Sequence, residues 1–190
     1  SACVDTFEVD VCNLDSIKNL ASSVGNIDGV VYLPGIVKLF PASYINQKHL
    51  NEVREVVFDG AVHLMSALLK GKKINARASL VFVSSISSKF PYKGGAIYTS
   101  SKAALETYSK TLALELSGKS IRSNCVKAGL VRTKILEATK NDMPEEVYNK
   151  HLSDYPLGVG DPLDVANACL FLLSDNAKWI TGTEIILDGG

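Results

Sequence analysis

The stretch SLVFVSSISSKFPYKGGAIYTSSKAALETYSKTLALEL, residues 79–116, holds two different patterns in sequence. Residues 79–84 are a short apolar run rich in β-branched and aromatic side chains, which reads as a buried strand. From residue 96 the period changes. Leu105, Tyr108, Leu112 and Leu116 recur at three- and four-residue steps, which predicts an amphipathic helix over 96–117. Tyr98 and Lys102 stand four apart at the head of this helix and so share a face. Spacing alone also fits an ordinary surface pair of a tyrosine and a lysine.

The same alternation extends in both directions. Strand-like runs occupy 4–11 (VDTFEVDV), 28–33 (DGVVYL), 122–126 (RSNCV) and 183–187 (TEIIL). The middle runs are continuously apolar, as expected where both faces of a parallel sheet are covered. Helical patterns lie between them. Residues 14–23 form a short one, with Asn13 or Asp15 as cap. Residues 47–70 form a long one, with Leu50, Val53, Val57, Ala61, Leu64 and Leu68 on one face. Residues 161–174 open with Asp161 as N-cap and Pro162 at the first helical position, where a missing N–H costs nothing. Strand–helix alternation predicts an α/β fold, a doubly wound parallel sheet of Rossmann-like type. The polar segment 134–155 reads as a mobile insertion of short helices at a strand end, where such folds place ligands and lids.

Composition narrows the function. The chain has 190 residues, 46% of them hydrophobic and 21% charged, enough for one domain with a core. Lys+Arg and Asp+Glu are both 20, so there is no basic excess of the kind that binds nucleic acid or an acidic membrane. No apolar run approaches the ~18 residues of a membrane span, and residues 1–10 do not read as a signal peptide. Cys3, Cys12, Cys125 and Cys169 follow no zinc or redox spacing, and Cys125 and Cys169 read as small buried hydrophobes. The expected setting is reducing and cytoplasmic. His49, His63 and His151 lack ligand spacing, so no metal site is expected.

Ligands of a parallel α/β sheet bind at the carboxyl ends of its strands. The strand over 79–84 ends in SSISS, residues 84–88, with Ser85 thirteen positions before Tyr98. The strand over 122–126 leads into KAGLVRT, residues 127–133, and the chain closes on LDGG. Together with DV at 10–11, IDGVVYLPG at 27–35 and LSDNAKWITGTEIILDGG at 173–190, these pieces resemble the short-chain dehydrogenase/reductase family. Within it they resemble the 3-oxoacyl-[acyl-carrier-protein] reductases. The resemblance runs from Val9 to Gly190, and it rests on the order of the pieces, since each alone is weak.

The resemblance implies an enzyme that moves hydride between NAD or NADP and a ketone or secondary alcohol. Tyr98 is then the general acid/base. A free phenol titrates near ~10. A positive charge ~4 Å away, worth about 4 kcal/mol at an effective dielectric of ~20, would draw it toward neutral pH, which is the part implied for Lys102. Lys102 also meets the nicotinamide ribose. Ser85 holds the substrate oxygen. The cofactor shell maps onto Asp10 and Val11 beside adenine, and onto Leu33, Pro34 and Gly35, with Gly35 admitting the adenosine ribose. It continues with Ala128, Gly129, Val131 and Thr133 around the carboxamide and pyrophosphate. Each of these positions also suits a strand-end cap or turn residue.

Several departures bear on this reading. Val57 falls where the family carries a catalytic asparagine. Tyr32-Leu33-Pro34-Gly35 replaces Asn-Asn-Ala-Gly, and Ala128-Gly129 replaces Pro-Gly. The glycine-rich turn that holds the pyrophosphate has no counterpart among the 14 glycines. The run 4–11 corresponds to the family's third strand, so the first strand–helix–strand unit of the single domain 1–190 is expected to be missing. The sheet order of such folds would then leave a gap of about 14 Å, three times the ~4.8 Å strand spacing.

The substrate is not fixed by these residues. A 3-oxoacyl thioester comes first, with a sugar, polyol or other secondary alcohol as an alternative. A non-catalytic nucleotide-binding or regulatory subunit is a third reading, favoured by Val57. Residues 134–155 and 86–97 would shape the pocket. Lys70, Lys72, Lys73 and Arg77 could meet an acidic carrier protein or simply face solvent. The family implies a homotetramer or homodimer, and Ser100, Ala103 and Ala104 give the 96–117 helix a small-residue face.

Overall fold

The computed structural model describes residues 4–134, 136–137, 146, 148 and 152–190. Cys3 and His151 lie outside them, as does most of the segment 134–155. Four strands form one parallel sheet: β1 (Ile27–Tyr32), β2 (Ile74–Ser85), β3 (Arg122–Ala128) and β4 (Glu184–Leu187), in the order β1-β2-β3-β4. Among the described residues the flanking helices include α1 (Leu14–Ser23), α2 (Gln47–Arg54), α3 (Gly60–Lys70), α4 (Ala96–Glu115) and α5 (Pro162–Leu173).

The expected doubly wound arrangement is present, and the pleat of β2 shows how it is built. Leu80 and Phe82 point to one face, into a core shared with Tyr32, Met65, Leu105 and Leu112. Val81 points to the other and joins Val126, Val165, Cys169 and Leu172. Alternate residues of a strand face opposite ways. A strand apolar at every position therefore needs helices on both sides. α1, α3 and α4 supply one layer, and α5 supplies the other.

The helix boundaries follow local chemistry. The Asn13 side chain caps α1, accepting from the backbone N–H groups of Asp15 at 2.9 Å and Ser16 at 3.1 Å. α5 begins at Pro162 after Asp161, whose N–H donates to the Asp164 carboxylate at 2.7 Å. At its other end the buried Arg122 guanidinium donates to the carbonyls of Leu172 at 2.6 Å and Ser174 at 3.1 Å. A cation there satisfies the last carbonyls and complements the helix dipole. The pattern over 47–70 is one continuous rod interrupted by a π-helical turn, Glu55–Asp59, in which the Gly60 N–H donates to the Glu55 carbonyl.

Two expectations need correction. β2 begins at Ile74, five residues earlier than its apolar run, and its register against β1 shifts between Ile27 and Gly29. The extra residues bulge there, with Arg77 at φ 66°. The run 4–11 forms no strand. It has no ladder partner among the described residues, and Val4 and Phe7 are exposed. A β-rich composition makes a strand only where another strand accepts its hydrogen bonds.

Candidate active site

β2 and β3 end together, with Ser85 paired to Ala128, and β1 stops short of them, its last residue Tyr32 paired to Phe82. A cavity of about 660 Å³ opens at these carboxyl ends. It brings together Leu33, Ser85, Tyr98, Lys102, Ala128, Gly129, Val131 and Thr133 from the sequence-derived set. Pro34, Gly35, Asp10 and Val11 do not line it. Gly35 is nevertheless adjacent, since a Cβ built on it would lie 3.5 Å from Lys102 Nζ.

Ser85 is the last residue of β2 and turns the chain into a short 3-10 segment, Ile86–Ser88. Its hydroxyl accepts from the Ser87 N–H at 3.2 Å and faces the same cavity as the Tyr98 phenol. Tyr98 lies in the first turn of α4. Gly95 precedes that helix and packs under the Tyr92 ring so closely that a Cβ would meet it at 2.6 Å. Lys102, one turn further on, is buried, and its Nζ donates to the Val83 carbonyl at 2.6 Å. The same nitrogen lies 5.8 Å from the centroid of the Tyr98 ring.

The electrostatics differ from the simple expectation for a tyrosine–lysine pair. Burial pushes the Tyr98 phenol up, opposed by the Ser85 hydrogen bond. Burial also pulls Lys102 down to about 8, opposed by Cys125 and by the negative charge of Glu106. Both shifts have one cause, the low polarity of the cavity wall. The Lys102 ammonium is drawn to the Val83 carbonyl and does not offset the burial of the phenol. An ammonium has three donors, and Nζ spends one on Val83 among the described residues.

The remaining positions serve the turns around the cavity. Gly129 follows β3. A Cβ there would meet Asp188 Cα and Cβ at 2.8 Å, so a side chain is excluded by the strand-end loop after β4. Its N–H donates to the Leu187 carbonyl at 2.8 Å. Val131 bridges to Gly160, and Thr133 is exposed. Asp10 caps a turn, its carboxylate accepting from the Cys12 N–H at 2.9 Å, and the Val11 carbonyl lies against Gly60.

The positions that depart from the family pattern are filled by packing. Val57 is fully buried inside the π-helical turn and packs with Val53 and Ile97 beside Tyr98. Tyr32 is 2% exposed, and its hydroxyl donates to the Val56 carbonyl in that turn at 2.6 Å. Gly60 makes room for it, since a Cβ there would meet the Tyr32 hydroxyl at 2.8 Å. An apolar contact and a strand-end phenol thus support the segment where amides were expected.

The structure adds residues that the sequence reading passed over. Val165, Ala166, Cys169 and Leu170 of α5 form one wall of the cavity. Glu106, one turn beyond Lys102, accepts from the Ser84 and Ser88 hydroxyls and pairs with Lys127. A carboxylate in the buried stripe of α4 and a lysine inside the apolar run of β3 were the signals available. Among the described residues no group of His, Cys, Asp and Glu could hold a metal, and no helix is long and apolar enough to cross a membrane.

A parallel sheet with helices on both faces, gathering a serine, a tyrosine and a lysine at its carboxyl edge, defines a Rossmann-like α/β domain. The chain belongs to the short-chain dehydrogenase/reductase family. The family model described as enoyl-(acyl carrier protein) reductase matches residues 1–190. A 2,5-dichloro-2,5-cyclohexadiene-1,4-diol dehydrogenase of Sphingobium indicum is 32% identical over 170 residues, which cover 89% of this chain and 64% of that protein. The chain therefore spans 64% of that relative's length. A 3-oxoacyl-[acyl-carrier-protein] reductase of Thermotoga maritima is 32% identical over 192 residues, covering 98% of this chain and 76% of that one. Among solved structures, a short chain dehydrogenase family protein of Francisella tularensis superposes with a TM-score of 0.87 at 27% identity, covering 97% and 79% of the two chains.

Proposed function

We propose that this chain carries the catalytic edge of an NAD- or NADP-dependent oxidoreductase that interconverts a ketone and a secondary alcohol. The observation that carries the reading is the convergence of Ser85, Tyr98 and buried Lys102 on the wall of one cavity. A nicotinamide dinucleotide bound there supplies or accepts the hydride. Two features fit such a group: Gly35 leaves Lys102 Nζ uncovered by a side chain, and that nitrogen keeps two donors for ribose hydroxyls. Asp10, Val11, Leu33, Pro34, Ala128, Gly129, Val131 and Thr133 complete the proposed cofactor shell.

The chain's own groups do the proton chemistry. In the reducing direction Tyr98 donates its phenolic proton to the substrate oxygen as charge develops there. The Ser85 hydroxyl donates a hydrogen bond to the same oxygen and stabilises that charge. Lys102 stabilises the phenolate left behind, because a positive charge nearby favours the ionised phenol. For that role Nζ turns from the Val83 carbonyl toward the phenol. Oxidation of an alcohol runs the same steps backwards.

A 3-oxoacyl thioester is the favoured substrate class, supported by the name of the Thermotoga maritima relative and by the largely apolar cavity wall. A cyclic secondary alcohol is the second reading, because the diol dehydrogenase relative is equally identical. The protein is proposed to act in the cytoplasm as a homodimer or homotetramer, on small molecules and not on nucleic acid or membrane. The test is cofactor turnover with NADH and NADPH against a 3-oxoacyl thioester and a cyclic ketone. Turnover of the thioester supports the first reading and turnover of the cyclic ketone alone the second. Dinucleotide binding without turnover of either would instead support a binding subunit.

A further inference from the structure

A ladder of charges, buried at Glu106 and Lys127 and reaching solvent at Lys110, runs under the site and no step above uses it. Glu106 Oε1 accepts from the Ser84 hydroxyl at 2.5 Å and lies 2.6 Å from the Ser88 hydroxyl. Glu106 Oε2 accepts from Lys127 Nζ at 3.1 Å. Lys127 also donates to Glu184 at 3.0 Å, and Glu184 in turn pairs with Lys110. Glu106 and Lys127 are 7% and 5% exposed. Burying such a pair costs desolvation that its attraction does not reliably repay, so stability alone is a poor reason for it.

Its position suggests another reason. Ser84 and Ser88 flank the turn that carries Ser85. The Ser88 hydroxyl also lies 2.8 Å from the Ser85 carbonyl, so its single proton is shared between that oxygen and Glu106. One carboxylate oxygen thereby holds the end of β2 and the end of the 3-10 segment together. The carboxylate also sits one helical turn from Lys102 on the same face of α4.

We propose that Glu106, anchored by Lys127, is a positioning residue: it fixes the backbone on both sides of Ser85 and supplies the negative charge that faces Lys102. The inference rests on the oxidoreductase reading above. The charged and titratable groups that feel Glu106 are Lys102 and Lys110 on α4 and Cys125 and Lys127 on β3, with Glu184 of β4 bound through Lys127. β2 and the segment after it present only hydroxyls.

Two substitutions separate position from charge. Glu106→Gln keeps an acceptor for both serines and removes the charge. The limb of the kcat–pH profile governed by Lys102 then moves to lower pH, since Glu106 holds that ammonium up. Glu106→Ala removes the anchor as well and lowers kcat further, by about 10-fold or more, with KM little changed. If neither variant folds, Ser84→Ala/Ser88→Ala removes the same two links and is expected to show the same kcat loss. A pH profile and kcat equal to wild type in Glu106→Gln and Glu106→Ala, or wild-type kcat in the serine pair variant, overturns the inference while leaving the oxidoreductase reading intact. A wild-type protein that turns over no ketone with either cofactor overturns both.

Discussion

Lys102 Nζ donates to the Val83 carbonyl at 2.6 Å, from inside a wall that leaves the side chain 3% exposed. The contact joins α4 to the strand that ends in Ser85. Burial of the same side chain lowers its pKa from 10.5 to about 8.

That shift has a consequence for stability. Between a pH of about 8 and the unfolded value of 10.5, the unfolded chain holds more protons at Lys102 than the folded one. Stability from this group therefore rises with pH through that window, and the penalty is fully present below it. Its upper limit is about 3 kcal/mol, from ~1.4 kcal/mol per pKa unit. Lys102→Met removes the penalty and leaves the Val83 carbonyl without its donor. Its stability relative to wild type should accordingly decline from about pH 7 to about pH 10. Denaturant unfolding of both proteins across that range reads the trend, and a flat difference would contradict the burial of the ammonium.

The phenol of Tyr32 braces the π-helical turn through the Val56 carbonyl. Tyr32→Phe removes the donor to that half-buried carbonyl, at a cost of about 1–3 kcal/mol. Because the turn packs Val57 beside Tyr98, turnover should fall as well as stability. A Tyr32→Phe protein with wild-type melting temperature and turnover would show that the brace is dispensable.

Gly129 has backbone where a side chain would go. Gly129→Ala places a methyl 2.8 Å from Asp188 Cα, so the loops after β3 and β4 must separate. A loss of about 1–3 kcal/mol is expected for such overpacking. Isothermal titration should also record weaker dinucleotide binding, since the displaced loop belongs to the proposed cofactor shell. Unchanged binding would remove Gly129 from that shell.

Much of the layout was legible because it rests on local signals. The apolar runs at 28–33, 79–84, 122–126 and 183–187 all lie within or against observed strands, and Asn13, Asp161 and Pro162 mark helix starts by their own chemistry. The run 4–11 misled because strand identity depends on a partner that composition does not supply. The π-helical turn at Glu55–Asp59 was invisible for a similar reason: it is braced by Tyr32, more than twenty residues earlier. The serine, tyrosine and lysine were picked out by the family resemblance, since their spacing along one strand–helix unit alone also fits a surface pair. Glu106 and Lys127 meet only through the packing of α4 on β3, so their pairing left no mark on the sequence beyond two charges in apolar surroundings.

The central claim is that Tyr98 moves the proton. It is tested most directly by measuring dinucleotide affinity and turnover side by side in wild type and Tyr98→Phe. The account predicts affinity within about twofold of wild type, and turnover lower by about 10²–10⁴, the usual contribution of a positioned general acid. Turnover in Tyr98→Phe equal to wild type would contradict it.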